Sequence, residues 1–287
     1  MKHLIFMVCL SSVVGIQCTK AQQEKFTEQI KKEIPFSNST ENTLVIKNVF
    51  GSILVEGYNG SQIVLEVEKT ITADNTSGLE LGKQELELKV IQEANRVVFH
   101  PDAPYIQFDK DNLRYNWCNN YEEPQYGHKL NFKVKVPHSI KIDVSTVNDG
   151  EVLVENTKGN TVIAENINGG ITLTNITGKT WVDCINGGVN ISYSSNPKSS
   201  SRYYSLNGDI NISYQKALSA NISFKSMNGE MFTDFDINKQ FMQADKKTGN
   251  ENRAKYKYEA KPIVQIGDGK VDFDFETLNG NVFIKKI

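Results

Sequence analysis

The chain repeats one short phrase, in which a hydrophobic residue precedes Asn-Gly and another hydrophobic residue follows one or two positions later. Asn-Gly is a strong turn signal because both residues tolerate positive φ. The runs after each turn alternate apolar and polar residues, as in Ile210-Asn-Ile-Ser-Tyr214, which is typical of a strand with one buried face. We therefore expect one strand and one structural corner at each occurrence. The corners are Asn168-Gly169, Asn186-Gly187, Asn207-Gly208, Asn228-Gly229 and Asn279-Gly280.

These corners recur at a nearly constant spacing. Asn186 lies 18 residues after Asn168, and the next two corner asparagines follow at intervals of 21 residues. A period of about 20 residues indicates a solenoid, in which each coil is too small to bury its own apolar face and is covered by its neighbour. The sequence therefore predicts an all-β fold, a β-solenoid-like stack of short strands with about 20 residues per coil.

Stacking places equivalent residues of successive coils above one another. The corner asparagines are expected to hydrogen-bond to their counterparts, as amide ladders do in stacked strands. Val189, Ile210 and Met231 are expected to form one column of the interior, and the strands at 271–275 and 281–284 are expected to close the stack.

The N-terminus has the features of a secretory signal peptide. A basic start precedes an apolar run that is too short to span a bilayer, and Ala21 offers a cleavage site. The alternative is a lipoprotein anchored at Cys18. We expect residues 1–21 to be the signal peptide and residues 22–287 to form a single domain, exported to the periplasm or the cell surface without a transmembrane segment in the mature chain.

Charge and cysteine content restrict the partners and the stabilising chemistry. The formal net charge of −2 argues against nucleic acid as a partner, because phosphate binding requires a basic surplus or stripe. Removal of the signal peptide leaves Cys118 and Cys184, which permits one disulfide bridge or two unpaired small residues. The sequence leaves both possibilities open.

Two segments interrupt the regular pattern. The segment 101–127 is expected to be an irregular aromatic loop, and the polar insertion 236–262 is expected to be a long loop or a mobile excursion. A loop or a short helix is expected at 73–83. Aromatic rings among amides and carboxylates suit sugars or a protein partner, but they also suit a lid over the open end of the stack. The candidate ligand-binding residues are Tyr105, Tyr115, Trp117, Tyr121 and Tyr126.

Candidates for metal binding or catalysis are sparse. Asp268, Asp272 and Asp274 form a weak calcium candidate, whereas strict alternation with the inward Phe273 and Phe275 equally predicts a solvated outer face. The mature chain's histidines are scattered without metal-ligand spacing, and are interpreted as surface or loop residues: His100, His128 and His138. We expect no catalytic residue and no cofactor.

The order of these motifs resembles a known family. A signal peptide, Asn48-Val-Phe-Gly-Ser-Ile-Leu-Val55, Lys135-Val-Pro137, the repeated corners and the terminal Thr277-Leu-Asn-Gly-Asn-Val-Phe-Ile284 are together similar to the putative adhesin (DUF4097-like) family of bacterial envelope proteins, common among Bacteroidetes. The resemblance covers nearly the whole mature chain. It implies a β-solenoid domain, an envelope location and a role without catalysis, and it supplies no catalytic residues.

The sequence thus favours an exported binding scaffold or adhesin that presents a repetitive β surface to a polysaccharide or to an envelope or host protein. The alternative is a periplasmic accessory for sensing envelope stress. A third hypothesis, a carbohydrate-active enzyme, requires Asp268, Asp272 and Asp274 to converge with a basic residue in a groove.

Overall fold

The computed structural model describes residues 23–115, 124–248 and 256–287. Within these ranges most strands belong to two large sheets. The other elements are a small hairpin, formed by β7 (Phe108–Asp109) and β8 (Arg114–Tyr115), and one helix, α1 (Thr76–Glu85). The ten-stranded sheet contains β1 (Glu24–Pro35), β3 (Ile53–Tyr58), β4 (Gln62–Ala73), β9 (Gly127–Pro137), β11 (Val152–Glu155), β13 (Ile171–Ile176), β15 (Val189–Tyr193), β17 (Ile210–Tyr214), β19 (Met231–Thr233) and β23 (Val282–Lys286).

The eleven-stranded sheet holds the remaining strands. They are β2 (Thr43–Lys47), β5 (Glu87–Gln92), β6 (Arg96–Asp102), β10 (Lys141–Thr146), β12 (Thr161–Asn168), β14 (Lys179–Asn186), β16 (Ser201–Asn207), β18 (Ala220–Asn228), β20 (Ile237–Thr248), β21 (Tyr256–Ile266) and β22 (Val271–Asn279). No helix in the described ranges has the length and hydropathy needed to cross a bilayer.

A regular coil consists of one strand of the eleven-stranded sheet, a corner, and one strand of the ten-stranded sheet. Neighbouring coils pair in parallel, so that Asn166 lies opposite Cys184 in one sheet and Ile171 opposite Val189 in the other. The predicted all-β, solenoid-like stack is confirmed. In spatial order the coils are β2–β3, β10–β11, β12–β13, β14–β15, β16–β17, β22–β23 and β18–β19.

The inward faces of both sheets share one hydrophobic cluster. Ile210 and Ile212 are fully buried, as the alternation of apolar and polar residues predicts. Three buried tyrosines bring polar atoms into this core, and they satisfy one another: the hydroxyl of Tyr203 lies 2.7 Å from that of Tyr193 and 2.9 Å from that of Tyr214. The core therefore contains large polar rings without leaving their hydroxyls unpaired.

An amide ladder runs along one corner of the stack. Each asparagine donates from Nδ2 to the Oδ1 of its neighbour at 2.7–2.9 Å, always in the same direction. The backbone of the ladder is packed tightly, since a Cβ on Gly187 would lie 2.3 Å from the carbonyl oxygen of Gly169. In spatial order the ladder is Asn148, Asn168, Asn186, Asn207, Asn279 and Asn228.

The prediction that the last strands close the stack is wrong. The coil β22–β23 is inserted between β16–β17 and β18–β19, so Val282 lies between Ile210 and Met231 in the expected interior column. Aromatic stacking fixes this order, because the ring of Phe273 lies parallel to that of Tyr214 at 5.3 Å and the ring of Phe275 stacks on Tyr203 at 4.7 Å. The final coil in space is therefore β18–β19.

The prediction of a long loop at 236–262 is also wrong. This insertion contributes to an antiparallel hairpin, in which β20 pairs with β21 and β21 pairs with β18. The edge strand β18 would otherwise leave its backbone groups unpaired, and the hairpin satisfies them by extending the sheet. Because the insertion is polar, its sequence did not indicate these two strands, which pair with each other.

The opposite end of the stack is less regular. Strand β6 lies parallel to β2 and β9 lies parallel to β3, so β6 and β9 form a further coil whose corner is expanded into residues 103–126. The expected irregular segment 101–127 thus begins in β6, ends in β9 and contains the hairpin β7–β8. Helix α1 lies where the sequence left a loop or a short helix open at 73–83, and it begins after Asn75, whose Oδ1 accepts a hydrogen bond from the Gly78 amide.

Candidate functional site

The described rings of the aromatic segment pack inside the protein. Tyr126 is buried and donates to Glu85 Oε2 at 3.0 Å, and the Tyr115 hydroxyl donates to the carbonyl oxygen of Lys47 at 2.6 Å. Tyr105 is half-buried, with its hydroxyl 2.7 Å from His128 Nδ1. Trp117 and Tyr121 lie outside the described residues. This arrangement suits the lid over the stack, and ligand contact by these rings stays a prediction.

The interpretation of the histidines as surface residues is wrong for two of them. His100 and His128 are only 5% and 9% exposed, because both belong to the coil β6–β9 that the aromatic segment covers. His100 stacks on Phe108 at 4.0 Å, and the Phe50 ring meets His128 edge-on at 5.1 Å. Burial lowers the pKa of His100 and lowers that of His128 to about 4. His128 is therefore neutral at pH 7.

The three aspartates of the calcium candidate do not come together. Asp268 is highly exposed in the turn before β22, with Lys270 Nζ at 3.9 Å. Asp272 accepts a hydrogen bond from Asn221 Nδ2 at 3.0 Å, and Asp274 accepts one from the Ser223 hydroxyl. In the ranges that the structure describes, no group of three or more His, Cys, Asp or Glu side chains could hold a metal ion.

Cys184 lies in the stack, while Cys118 lies outside the described residues. The Cys184 thiol is free and fully buried, with Sγ 3.3 Å from the carbonyl oxygen of Gly187. Burial raises its pKa to about 11, so the thiol stays protonated at neutral pH.

The outer face of the eleven-stranded sheet carries a group of side chains that the sequence analysis did not single out. The strand register places Trp181 beside Arg202. Two positions further along the strands, Tyr204 lies between Asp183 and Glu276. All five residues occupy outward positions of β14, β16 and β22. We call this group the Trp181 patch.

Cation–π contacts and ion pairs hold the Trp181 patch together. The Arg202 guanidinium lies 5.5 Å from the Trp181 ring centroid and 5.6 Å from that of Tyr204. Glu276 lies 3.8 Å from Arg202 Nη2 and 2.9 Å from Lys225 Nζ. Burial raises the pKa of Asp183, and Glu276 raises it further, while Arg202 opposes the shift. Trp181 nevertheless remains 39% exposed.

A shallow pocket adjoins the patch. Its volume is about 290 Å³, and its lining combines Trp181 and Arg202 with Lys179, Asp272 and Asp274. An apolar ring rimmed by charged donors and acceptors on a rigid sheet can stack on a flat apolar surface and hydrogen-bond to hydroxyls around it. Val182 and Cys184 point inward, so the alternation of side chains along β14 predicts that Trp181 points outward. An outward-facing tryptophan is the sequence feature from which the patch could have been predicted.

One protein family and several solved structures are similar to this chain. The model of the Toastrack DUF4097 family matches residues 133–285. No curated protein matches the sequence. A putative cell adhesion protein from Clostridium sporogenes ATCC 15579 is 11% identical, with 93% of this chain and 100% of that chain covered and a TM-score of 0.37.

Two further solved structures are similar. A putative adhesin from Bacteroides fragilis NCTC 9343 is 9% identical, with 93% and 99% of the two chains covered and a TM-score of 0.38. A putative lipid binding protein from Parabacteroides distasonis ATCC 8503 is 12% identical, with 92% and 96% covered and a TM-score of 0.29. The family match extends over more than half of the sequence, from β9 to β23. The chain belongs to the Toastrack DUF4097 family.

Proposed function

We propose that this protein is an exported, non-enzymatic binding scaffold of the cell envelope, and that it binds a polysaccharide through the Trp181 patch. The observation that carries the proposal is the exposed indole of Trp181, fixed on a rigid sheet beside Arg202 and the pocket that contains Asp272 and Asp274. A sugar ring offers a flat apolar face and a rim of hydroxyls, which this combination of groups matches.

The repetitive build of the stack supports a polymer rather than a single sugar. Outward residues of neighbouring coils are separated by about 4.8 Å, the spacing of hydrogen-bonded strands, so the face extends in register on both sides of Trp181. Row partners of Trp181 are Ile163 on one side and Arg202 on the other. A linear polysaccharide lying across the strands meets several coils at once.

The proposed export and domain organisation rest on the N-terminal sequence. Residues 1–21 form the signal peptide in this proposal, and residues 22–287 form one domain. Mass spectrometry of the mature protein tests this point: a chain that begins at Gln22 supports it, whereas a lipidated Cys18 as the first residue contradicts it.

Trp181→Ala tests the polysaccharide proposal directly. Affinity electrophoresis against a panel of soluble bacterial and plant polysaccharides identifies a ligand, and calorimetry then compares the variants. We expect Trp181→Ala to weaken binding about thirtyfold, since truncating an aromatic anchor costs about 2 kcal/mol. The matched control is Phe232→Ala, which removes an exposed ring from the other sheet.

Two results would contradict the proposal. Equal binding by the Trp181→Ala and Phe232→Ala variants would mean that the Trp181 patch does not bind the polysaccharide. Release of new reducing ends from the bound polysaccharide would show a carbohydrate-active enzyme instead, with Asp272 and Asp274 beside Arg202 as the groups to substitute next.

A protein-binding role is the second candidate, and one feature favours it. An apolar row crosses five neighbouring strands beside the amide ladder, and the next outward row contains Glu165, Asp183, Tyr204, Glu276 and Lys225, with Glu276 paired to Lys225. The partner that fits is a protein segment with a matching row of apolar residues. The row consists of Ile167, Ile185, Leu206, Leu278 and Met227, of which Ile167 is 43% and Met227 is 76% exposed.

Cell location separates the two candidates. Digestion by protease added to intact cells favours the adhesin or scaffold at the surface, whereas protection until the outer envelope is broken favours a periplasmic sensing accessory. In the second case, Met227→Asp is expected to abolish crosslinking to the partner, while Trp181→Ala leaves it intact.

A further inference from the structure

One of the five Asn-Gly corners of the ladder lies at the end of the stack, and its backbone differs from that of the other four. At each inner corner the glycine N–H donates to the asparagine carbonyl oxygen of the next coil, as Gly187 does to Asn207 at 3.1 Å. The coil β18–β19 has no such neighbour, since β21 pairs with β18 only along Ala220–Ser223, before the corner. Among the described residues, the N–H of Gly229 therefore has no hydrogen-bond partner. Gly229 is also exposed, whereas the other four corner glycines are half-buried.

The side chain of Asn228 is likewise held by fewer bonds than those of the inner corners. Asn186 donates through Nδ2 to one neighbour and accepts through Oδ1 from the other, whereas Asn228 only donates, to Asn279 at 2.8 Å. With the glycine N–H included, three hydrogen bonds hold each inner Asn-Gly pair, and one holds Asn228-Gly229.

These hydrogen bonds involve the groups through which Asn-Gly pairs deamidate. Glycine has no side chain to hinder ring closure, and asparagine is thermally labile. The glycine nitrogen attacks the asparagine Cγ, so the N–Cγ bond forms, the Cγ–Nδ2 bond breaks, and ammonia leaves with the proton of the glycine amide. Water then opens the resulting succinimide at either carbonyl, which gives aspartate or isoaspartate. Water is the only co-reactant, and both reacting groups must first be released from their hydrogen bonds.

We propose that Asn228 is a deamidation site of the folded protein and that the stack protects the other four corner asparagines. An inner corner must break two more hydrogen bonds before it reacts, which corresponds to a rate about thirtyfold lower. A further Asn-Gly pair, Asn59-Gly60, lies in the turn between β3 and β4. There the Gly60 N–H donates to the carbonyl oxygen of Tyr58 at 3.1 Å, so this amide is not free. The inference does not depend on polysaccharide binding by the Trp181 patch.

Deamidation changes the chemistry at the end of the stack. The new carboxylate has no proton to donate, so the hydrogen bond from Asn228 to Asn279 Oδ1 is replaced by a contact between two oxygen atoms. The coil β18–β19 loses its ladder bond, and a negative charge appears at the residue after the exposed Met227. The modification therefore loosens the last coil.

Timed incubation of the full mature chain at mildly alkaline pH tests the proposal, with peptide mass spectrometry to locate each converted asparagine. We expect Asn228 to react about thirtyfold faster than Asn186 in the folded chain, and the two to react at similar rates in urea. Asn207→Ala removes the side-chain donor to Asn186 but keeps the backbone carbonyl that accepts from Gly187. This variant should react about fivefold faster at Asn186, because one of the three bonds is lost.

Two aspartate variants test the consequence for the last coil. Asn228→Asp has the composition of the product and should melt about 2–4 °C below the unmodified chain. Asn190→Asp, the matched control, adds the same charge at an exposed position of β15 outside the ladder, and should melt within about 1 °C of the unmodified chain. Circular dichroism establishes that each variant is folded.

Three results would overturn the proposal. The first is an equal rate at Asn228 and Asn186 in the folded chain. The second is an Asn228 that stays intact in the folded chain, or reacts later than Asn59, over the time in which the unfolded chain is converted. The third is equal melting of the Asn228→Asp and Asn190→Asp variants, which would mean that the modification does not loosen the last coil.

Discussion

Adjacent glycines at one corner differ in what they tolerate, although both follow the same asparagine. A Cβ on Gly187 would lie 2.3 Å from the carbonyl oxygen of Gly169 in the neighbouring coil, whereas a Cβ on Gly188 meets its nearest atom at 3.8 Å. We expect Gly187→Ala to lower the free energy of unfolding by about 1–3 kcal/mol, because the coils must separate locally. Gly188→Ala, the matched control, should change it by less than about 0.5 kcal/mol. Urea denaturation measures both, and equal values would contradict close approach at Gly187.

The amide ladder predicts a position-dependent cost for the same substitution. Asn186 donates to Asn168 and accepts from Asn207, whereas Asn228 at the end of the ladder only donates, to Asn279. We expect Asn186→Ala to destabilise the fold by about 1–2 kcal/mol and Asn228→Ala by about half as much, since each hydrogen bond contributes about 1 kcal/mol net. Thermal melts of the two variants make the comparison. Identical shifts would mean that the ladder bonds do not stabilise the stack.

At the scale of elements, local pattern predicted the strands but not the order of the coils. Alternation identifies runs such as Ile210–Tyr214 as half-buried strands, and Asn-Gly marks where each one turns. The Asn-Gly corner motif occurs at 207, 228 and 279, so the local sequence allows each of these three coils to stack on either of the other two. The choice depends on contacts between distant residues, such as Phe273 with Tyr214, which no local window contains.

The candidate site was predictable only in part for a similar reason. The aromatic residues of 101–127 were found by composition, but their burial depends on α1 and β2, which lie beside them only in the folded chain. The Trp181 patch combines five residues of three strands, and it becomes visible only when the register brings Trp181, Arg202 and Glu276 into neighbouring rows.

The inserted coil predicts that a late strand is as important as a central one. Phe273 is 1% exposed, and its ring stacks on Tyr214 and meets Tyr203 edge-on at 6.2 Å. We expect Phe273→Ala to cost about 3–5 kcal/mol, the usual cost of removing a buried phenylalanine side chain. Phe283→Ala, whose half-buried ring lies on the outer face, should cost clearly less. Urea denaturation of both decides, and a small effect at Phe273 would place β22 at the frayed end of the stack.

At the scale of the whole molecule, the two ends of the stack should respond differently to acid. A solenoid is stabilised mainly by contacts between neighbouring coils, so one end can loosen while the rest persists. His100 and His128 lie in the coil β6–β9 at one end, and burial holds the pKa of each below its usual value, with that of His128 at about 4. Because the unfolded chain takes up these protons near pH 6.5, stability falls as the pH drops from about 6.5 towards 4.

The loss assigned to His128 is about 3 kcal/mol once the pH reaches 4, since each pKa unit corresponds to about 1.4 kcal/mol. Hydrogen exchange at pH 7 and pH 5, corrected for the intrinsic rates, should show β6 and β9 losing protection while β14 to β17 keep theirs. In the His128→Phe variant the difference in lost protection between the two ends of the stack should shrink, because the phenyl ring cannot take up a proton. Carboxylates also lose stabilising interactions in acid, but they remain in both proteins, so the comparison isolates the histidine. Uniform loss of protection along the stack, or the same pH dependence in both proteins, would mean that His128 is not the group that makes this end sensitive to acid.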